Sequence, residues 1–161
     1  MRKPVPRMLK TAICQIMLAA LLWALPRGAD GAAQDPGSAS IIRVEVTAAR
    51  SDKGQILCAL FAPDSGFPGK AERAVAHTHS PIVNGNASCE FRDVAPGRYA
   101  VSVFHDENSN GKMDSNFIGM PKEGVGASND AKGRMGPPKF DAAAFQYAGG
   151  RLELNIKLVY L

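Results

Sequence analysis

The fold class this sequence predicts is all-β: an immunoglobulin-like or transthyretin-like antiparallel β-sandwich of about seven strands with one long ordered loop. Three observations predict it. Clusters of Gly, Pro and Asp/Ser cut the chain after residue 40 into short segments, those segments alternate apolar and polar residues, and none sustains a 3.6-residue period. The composition agrees, since 161 residues with 45% hydrophobic and 21% charged side chains suit one globular domain and exclude collagen, coiled coil and wholesale disorder.

In chain order, the first element is a leader. Residues 1–10 are basic, residues 11–25 form the uncharged run TAICQIMLAALLWAL, and Gly31 and Ala33 supply small residues before an expected cut after Ala33. Fifteen residues at about 1.5 Å each fall short of a hydrocarbon core of roughly 30 Å, which argues against a retained span. Cys14 follows the bulky Ile13 near the start of the run, the wrong place for a lipid-modified cysteine. The expected domains are therefore a signal peptide over 1–33, a disordered stretch over 34–40 and one sandwich over 41–161. The expected localisation is periplasmic or secreted, without membrane insertion after cleavage. Cleavage takes away Cys14 and Trp23, the one tryptophan.

The leader also explains the net charge of +4. It holds Arg2, Lys3, Arg7, Lys10 and Arg27 of the 19 basic residues and Asp30 of the 15 acidic ones, leaving 14 of each sign. A neutral body without a Lys/Arg cluster has no footprint for a phosphate backbone, so nucleic acid is excluded as a partner.

Seven strands follow. IIRVEVTAA sets Ile42, Val44 and Val46 against Arg43 and Glu45. GQILCALF is apolar on both faces, which places it centrally in a sheet. AVAHTHSPIV and NASCEFRDV flank Asn84 and Gly85, a pair whose tolerance of positive φ suits a type I′ hairpin turn. Pro96 and Gly97 read as a type II turn before GRYAVSVFH. AAFQYA and RLELNIKLVYL meet at Gly149 and Gly150.

Cys58 and Cys89 both lie in predicted strands and both point inward by the period of two, with Ile56 and Leu60 beside one and Ala87 and Phe91 beside the other. In an oxidising compartment they are a disulfide pair; the alternative is two buried free thiols packing as small hydrophobes. Without CxxC spacing they are not a catalytic dithiol.

Two connections are long. APDSGFPGKAERA contains a helical turn over KAERA. The other, residues 106–141, exceeds the roughly 12–15 residues usual for a structureless loop and is the expected functional segment. Phe117, Ile118, Met120, Met135 and Phe140 are expected to pin it against the sandwich.

The run APGRYAVSVFHDENSNGKMDSNFIGMPKEGVGASNDAKGRMGPPKFDAAAF, with SDKGQILCALF upstream, resembles the bacterial exported family of domain of unknown function 2141 over roughly Ile41 to Tyr160. The resemblance implies a secreted or periplasmic β-sandwich of unassigned activity, and it carries over no catalytic residue. DVAPGRYAVSV also resembles elements of transthyretin-like and carboxypeptidase-regulatory-like modules, which bears on fold alone.

Within the long segment, DENSNGKMD spaces Asp106, Asn108 and Asn110 as the first, third and fifth ligands of a calcium loop. Gly111 stands at the turn, the Lys112 carbonyl at position seven and Asp114 at position nine. Position twelve is Phe117, so the bidentate carboxylate is missing there, and Glu123 or Asp130 would have to fold back to supply it. The competing reading has Asp and Asn shaping the loop through side-chain-to-backbone bonds, with no ion. Ca²⁺ is thus the one candidate cofactor.

Other motifs are weaker. His77 and His79 share a strand face, a spacing that holds zinc only with a third ligand and otherwise reads as a solvated face. A triad of His105, Asp106 and Ser128 lacks a nucleophile elbow. GVGAS after Glu123 is too irregular for a nucleotide loop. The function expected first is a non-enzymatic exported module binding a protein or cell-envelope ligand through residues 106–141. The alternative is a small extracellular hydrolase or other enzyme using His105, Asp106 and Glu123 as acid/base groups.

Overall fold

The computed structural model describes residues 40–63, 65–134 and 136–161. The leader read over 1–33, with Cys14 and Trp23, and the stretch 34–39 lie outside the described residues, as does Met135. The chain divides into two units at residue 36, and the second carries every element below.

Among the described residues, eight strands make two sheets. They are β1 (Ile41–Thr47), β2 (Gln55–Phe61), β3 (Ala76–Ser80), β4 (Ala87–Arg92), β5 (Gly97–Asp106), β6 (Val125–Ala127), β7 (Phe145–Tyr147) and β8 (Arg151–Lys157). One sheet runs β4-β1-β8; the other runs β3-β2-β5-β6, with β7 paired to the start of β5. The predicted sandwich is therefore present, and β2 is central as its two apolar faces require. One pairing departs from the antiparallel expectation: β1 and β8 run parallel, with Val44 opposite Leu154.

Alternation decides the core. Ile42, Val44 and Val46 of β1 meet Ile56, Leu60, Val101 and Val103 of the facing sheet, and all are buried. Among the described residues this main core runs from Ile42 to Leu158, within the unit from Pro36 to Leu161. Cys58 of β2 and Cys89 of β4 form a disulfide across the two sheets, with Cα atoms 6.7 Å apart. Inward-facing positions on opposing strands put the thiols within reach, which selects the bridge over two free thiols.

Three expectations need correction. Asn84 (φ 53°) and Gly85 (φ 75°) do form the positive-φ turn, closed by bonds between Val83 and Asn86, yet the flanking strands join different sheets. Pro81 offers no N–H to a ladder, and the chain crosses there from one sheet to the other. Gly97 is not at positive φ and begins β5, so no type II turn forms; the left-handed residue in that connection is Asp93 (φ 57°). The long segment is also not free of regular structure, because it contains β6, a 3₁₀ turn over Ser128–Asp130 and the short helix α1 (Phe140–Ala143). The helical turn in the other long connection spans Ala71–Arg73.

Candidate functional site

The 106–141 segment leaves the sandwich from the end of β5 and returns to it through β6. The β5–β6 register pairs Phe104 with Val125, and the backbone N–H of His105 donates to the Gly124 carbonyl at 2.8 Å. Glu123, the residue before Gly124, is thereby carried to the Glu107 N–H just past the end of β5. A short strand that the alternation pattern did not reveal thus carries the predicted supplementary carboxylate to the loop.

Both carboxylates are buried and both are used. Asp106 Oδ1 accepts the Asn110 N–H at 3.0 Å; its Oδ2 accepts the Gly111 N–H at 2.9 Å and the Gln55 side-chain amide at 3.1 Å. Glu123 Oε1 accepts the Glu107 N–H and Oε2 the Asp114 N–H, each at 3.0 Å. Asn108 and Asn110 donate their amides to the two oxygens of Asp114 at 2.8 and 3.3 Å, and the Asn110 carbonyl oxygen accepts the Lys112 N–H at 2.7 Å. Asp106, Asn108, Asn110, Lys112, Asp114 and Glu123 therefore meet in one polar knot, whereas Asp130, the other candidate for the supplementary carboxylate, lies apart and accepts the Lys157 N–H. Among the described residues no group of three or more His, Cys, Asp or Glu is placed to hold a metal ion.

The knot rests on a buried histidine. His105 Nε2 lies 2.7 Å from the Lys53 carbonyl, which can only accept, so that nitrogen carries the proton. Nδ1 is then the acceptor and takes the Tyr160 hydroxyl proton at 2.7 Å, while the Tyr160 oxygen accepts the Arg50 N–H at 2.9 Å. Burial pushes the Tyr160 hydroxyl above its ordinary pKa, against a smaller opposing effect of the Arg50 backbone bond. Two glycines permit this packing. A Cβ on Gly54 (φ 72°) would lie 1.9 Å from the Asp106 carbonyl oxygen, and one on Gly124 would lie 2.5 Å from the Tyr160 ring.

His105, Asp106 and Glu123, the three groups of the enzymatic alternative, thus have their polar atoms committed inside the protein. Ser128 is apart from them: it is fully buried, accepts the Val101 N–H at 2.9 Å and donates to the Ala143 carbonyl at 2.6 Å. His77 and His79 lie exposed on edge strand β3.

Beyond Asp114 the segment does the opposite of what its composition predicts. Phe117 is 99% exposed, Ile118 64% and Met120 42%, so these side chains do not pin the segment. Phe140 does, edge-on to Phe67 at 6.1 Å beside a second cluster of Ala100, Ala127 and Ala143. The tip is nonetheless built. Ser115 bridges Pro121, the Asn116 N–H donates to the Met120 carbonyl, and Asn116 Oδ1 accepts the N–H groups of Ile118 and Met120 at 3.1 and 2.9 Å. Carboxylates and amides anchor the tip of this segment, and the apolar side chains of the tip project.

Charge divides the same way. Lys112, Lys122, Lys132, Arg134 and Lys139 are all exposed, and none is in an ion pair among the described residues. The acids are engaged: Glu107 with Arg50, Asp141 with Arg98, Asp130 with the Lys157 N–H, and the others in the knot. Lys132, Arg134 and Lys139 border a cleft of about 440 Å³. The neutral sum over residues 34–161 conceals an outward-facing excess of positive charge here.

A family model for an uncharacterized protein conserved in bacteria, DUF2141, matches residues 44–155, which include the whole segment. No curated protein and no solved structure matches the chain.

Proposed function

We propose, on the premise that the chain belongs to the bacterial family of uncharacterized proteins DUF2141, that it is a non-enzymatic binding module acting in the periplasm or outside the cell. Its contact surface is the tip of the 106–141 segment, offered to a protein or cell-envelope component. One observation carries this reading: Phe117, Ile118 and Met120 stand exposed on a turn held by its own hydrogen bonds. Exposing a Phe side chain of this size forgoes about 2 kcal/mol of burial, and a grouped apolar patch on an ordered base marks an interaction site. The commitment of His105, Asp106 and Glu123 to internal bonds favours binding over acid/base chemistry.

The same reading includes a weak Ca²⁺ site that stiffens the base of the tip, with Asp106, Asn108, Asn110, the Lys112 carbonyl and Asp114 as donors and Glu123 beside them. The arrival of Glu123 at the Asp114 and Glu107 N–H groups supports it. Much of the donor set is amide and carbonyl oxygen, so Ca²⁺ would require the Asn108 and Asn110 amides to turn their oxygens inward.

Retention on a cell-envelope preparation tests the contact surface. The unit from Pro36 to Leu161 should be retained, and Phe117→Ser with Ile118→Ser should release it. Equal retention of both proteins would remove the tip from the account.

A further inference from the structure

We infer that the occupant of the tip is the interfacial layer of an anionic lipid bilayer, entered by Phe117, Ile118 and Met120 while Lys112 and Lys122 meet the headgroups. This rests on the binding reading above and names its partner. Three observations select lipid.

The first is the order of side chains along the tip. Residues 115–121 carry no charge, and Met113, Phe117, Ile118 and Met120 are all exposed. The second is the collar. Lys122 donates its backbone N–H to the Asp114 carbonyl, so it stands across the base of the tip from Asp114, two residues after Lys112. Both lysines are exposed and in no ion pair among the described residues, whereas the neighbouring acids are held elsewhere, Asp114 on the Asn108 and Asn110 amides and Glu123 on the Glu107 and Asp114 N–H groups. An apolar end on a basic base matches acyl chains beneath anionic headgroups.

The third observation concerns the backbone, and it separates lipid from an extended peptide partner. Leaving water costs several kcal/mol per unpaired backbone N–H. Here the N–H groups of Asn116, Ile118, Gly119 and Met120 already have acceptors inside the turn. Such a tip offers few N–H groups to an extended protein partner and carries few unpaired ones into a poorly hydrated layer. The contact is peripheral, made by three side chains, and among the described residues no helix is long and apolar enough to cross a membrane.

The unit from Pro36 to Leu161 contains no tryptophan, so Phe117→Trp makes the tip its own reporter. Protein-free vesicles of phosphatidylglycerol and phosphatidylcholine should shift the emission of this variant to the blue and carry the unchanged protein into the pellet. Phosphatidylcholine alone should bind at least tenfold more weakly. Lys112→Glu and Lys122→Glu should each weaken binding by about fivefold or more, and Phe117→Ser by about tenfold. No shift with anionic vesicles, equal binding to neutral ones, or binding untouched by Phe117→Ser would overturn the inference. So would a shift that grows with protein concentration in the absence of lipid, which would assign the tip to a second copy of the chain. Retention on the envelope preparation without binding to protein-free vesicles would overturn the lipid occupant and leave the binding reading standing; loss of both would end both.

Discussion

The carboxylate of Glu123 accepts the backbone N–H of Asp114 at 3.0 Å across nine residues of chain, and its other oxygen accepts the N–H of Glu107. One buried side chain thereby fastens both the start of the segment and the near side of the tip. Glu123→Ala should cost about 2 kcal/mol, since two N–H groups lose a charged acceptor. The damage should be local: amide exchange at Glu107 and Asp114 should accelerate while that of β2 and β5 is retained. Unchanged protection of those two amides would show that the tip is held by something else.

Tyr160 supplies a pH dependence. Its folded-state pKa is raised by burial, so the stabilisation is complete below the unfolded value of about 10 and is lost as pH rises through the folded value. Tyr160→Phe should flatten that alkaline loss in denaturant titrations. It should also lower stability at neutral pH by about 1–3 kcal/mol, because the Arg50 N–H loses its acceptor and His105 Nδ1 its donor. A variant as stable as the unchanged protein would contradict the bonds assigned to the Tyr160 hydroxyl.

The disulfide should dominate overall stability. Cys58 and Cys89 are 31 residues apart and join the two sheets. In the chain-entropy account a bridge of this span contributes about 3–4 kcal/mol, so reduction should lower Tm by roughly 10 °C. Thiol titration of the denatured, unreduced protein should find Cys58 and Cys89 blocked; two reactive thiols there would contradict the pairing.

Much of the fold was legible because a period of two reports directly on which face is wet. β1, β4 and β8 follow it, β5 follows it in part, and β2 is read instead from its two apolar faces; the inward direction of Cys58 and Cys89 comes from the period of two. β6 was not legible. Three residues, Val125, Gly126 and Ala127, are too short and too small to show alternation, and it is their pairing with β5 that places Glu123. The outward turn of Phe117 was hidden for a different reason. Composition records that a loop contains apolar residues, whereas the bonds of Asp106, Asn116 and Glu123 decide which of them reach the body of the protein.

Calcium should add a small, saturable stabilisation. At a few times the Kd, expected on the order of 10⁻⁴ to 10⁻³ M, the gain is about 1 kcal/mol, visible as a rise in melting temperature that chelator reverses. Asp114→Asn keeps a side chain able to bond its neighbours and removes one of the two carboxylates, Asp106 and Asp114, at the ligand positions of the run, so it should abolish the rise. The absence of any shift up to about 10 mM would return the loop to side-chain-to-backbone bonding alone.

The contact surface is tested most directly by a photo-crosslinking amino acid placed at position 117 and, in a separate protein, at Val83, which is 63% exposed on the turn between β3 and β4. Irradiation of intact cells should give an adduct with a lipid or protein of the cell envelope from position 117 and none above background from position 83. Equal yields at the two positions, or none at 117, would contradict the assignment of binding to the tip.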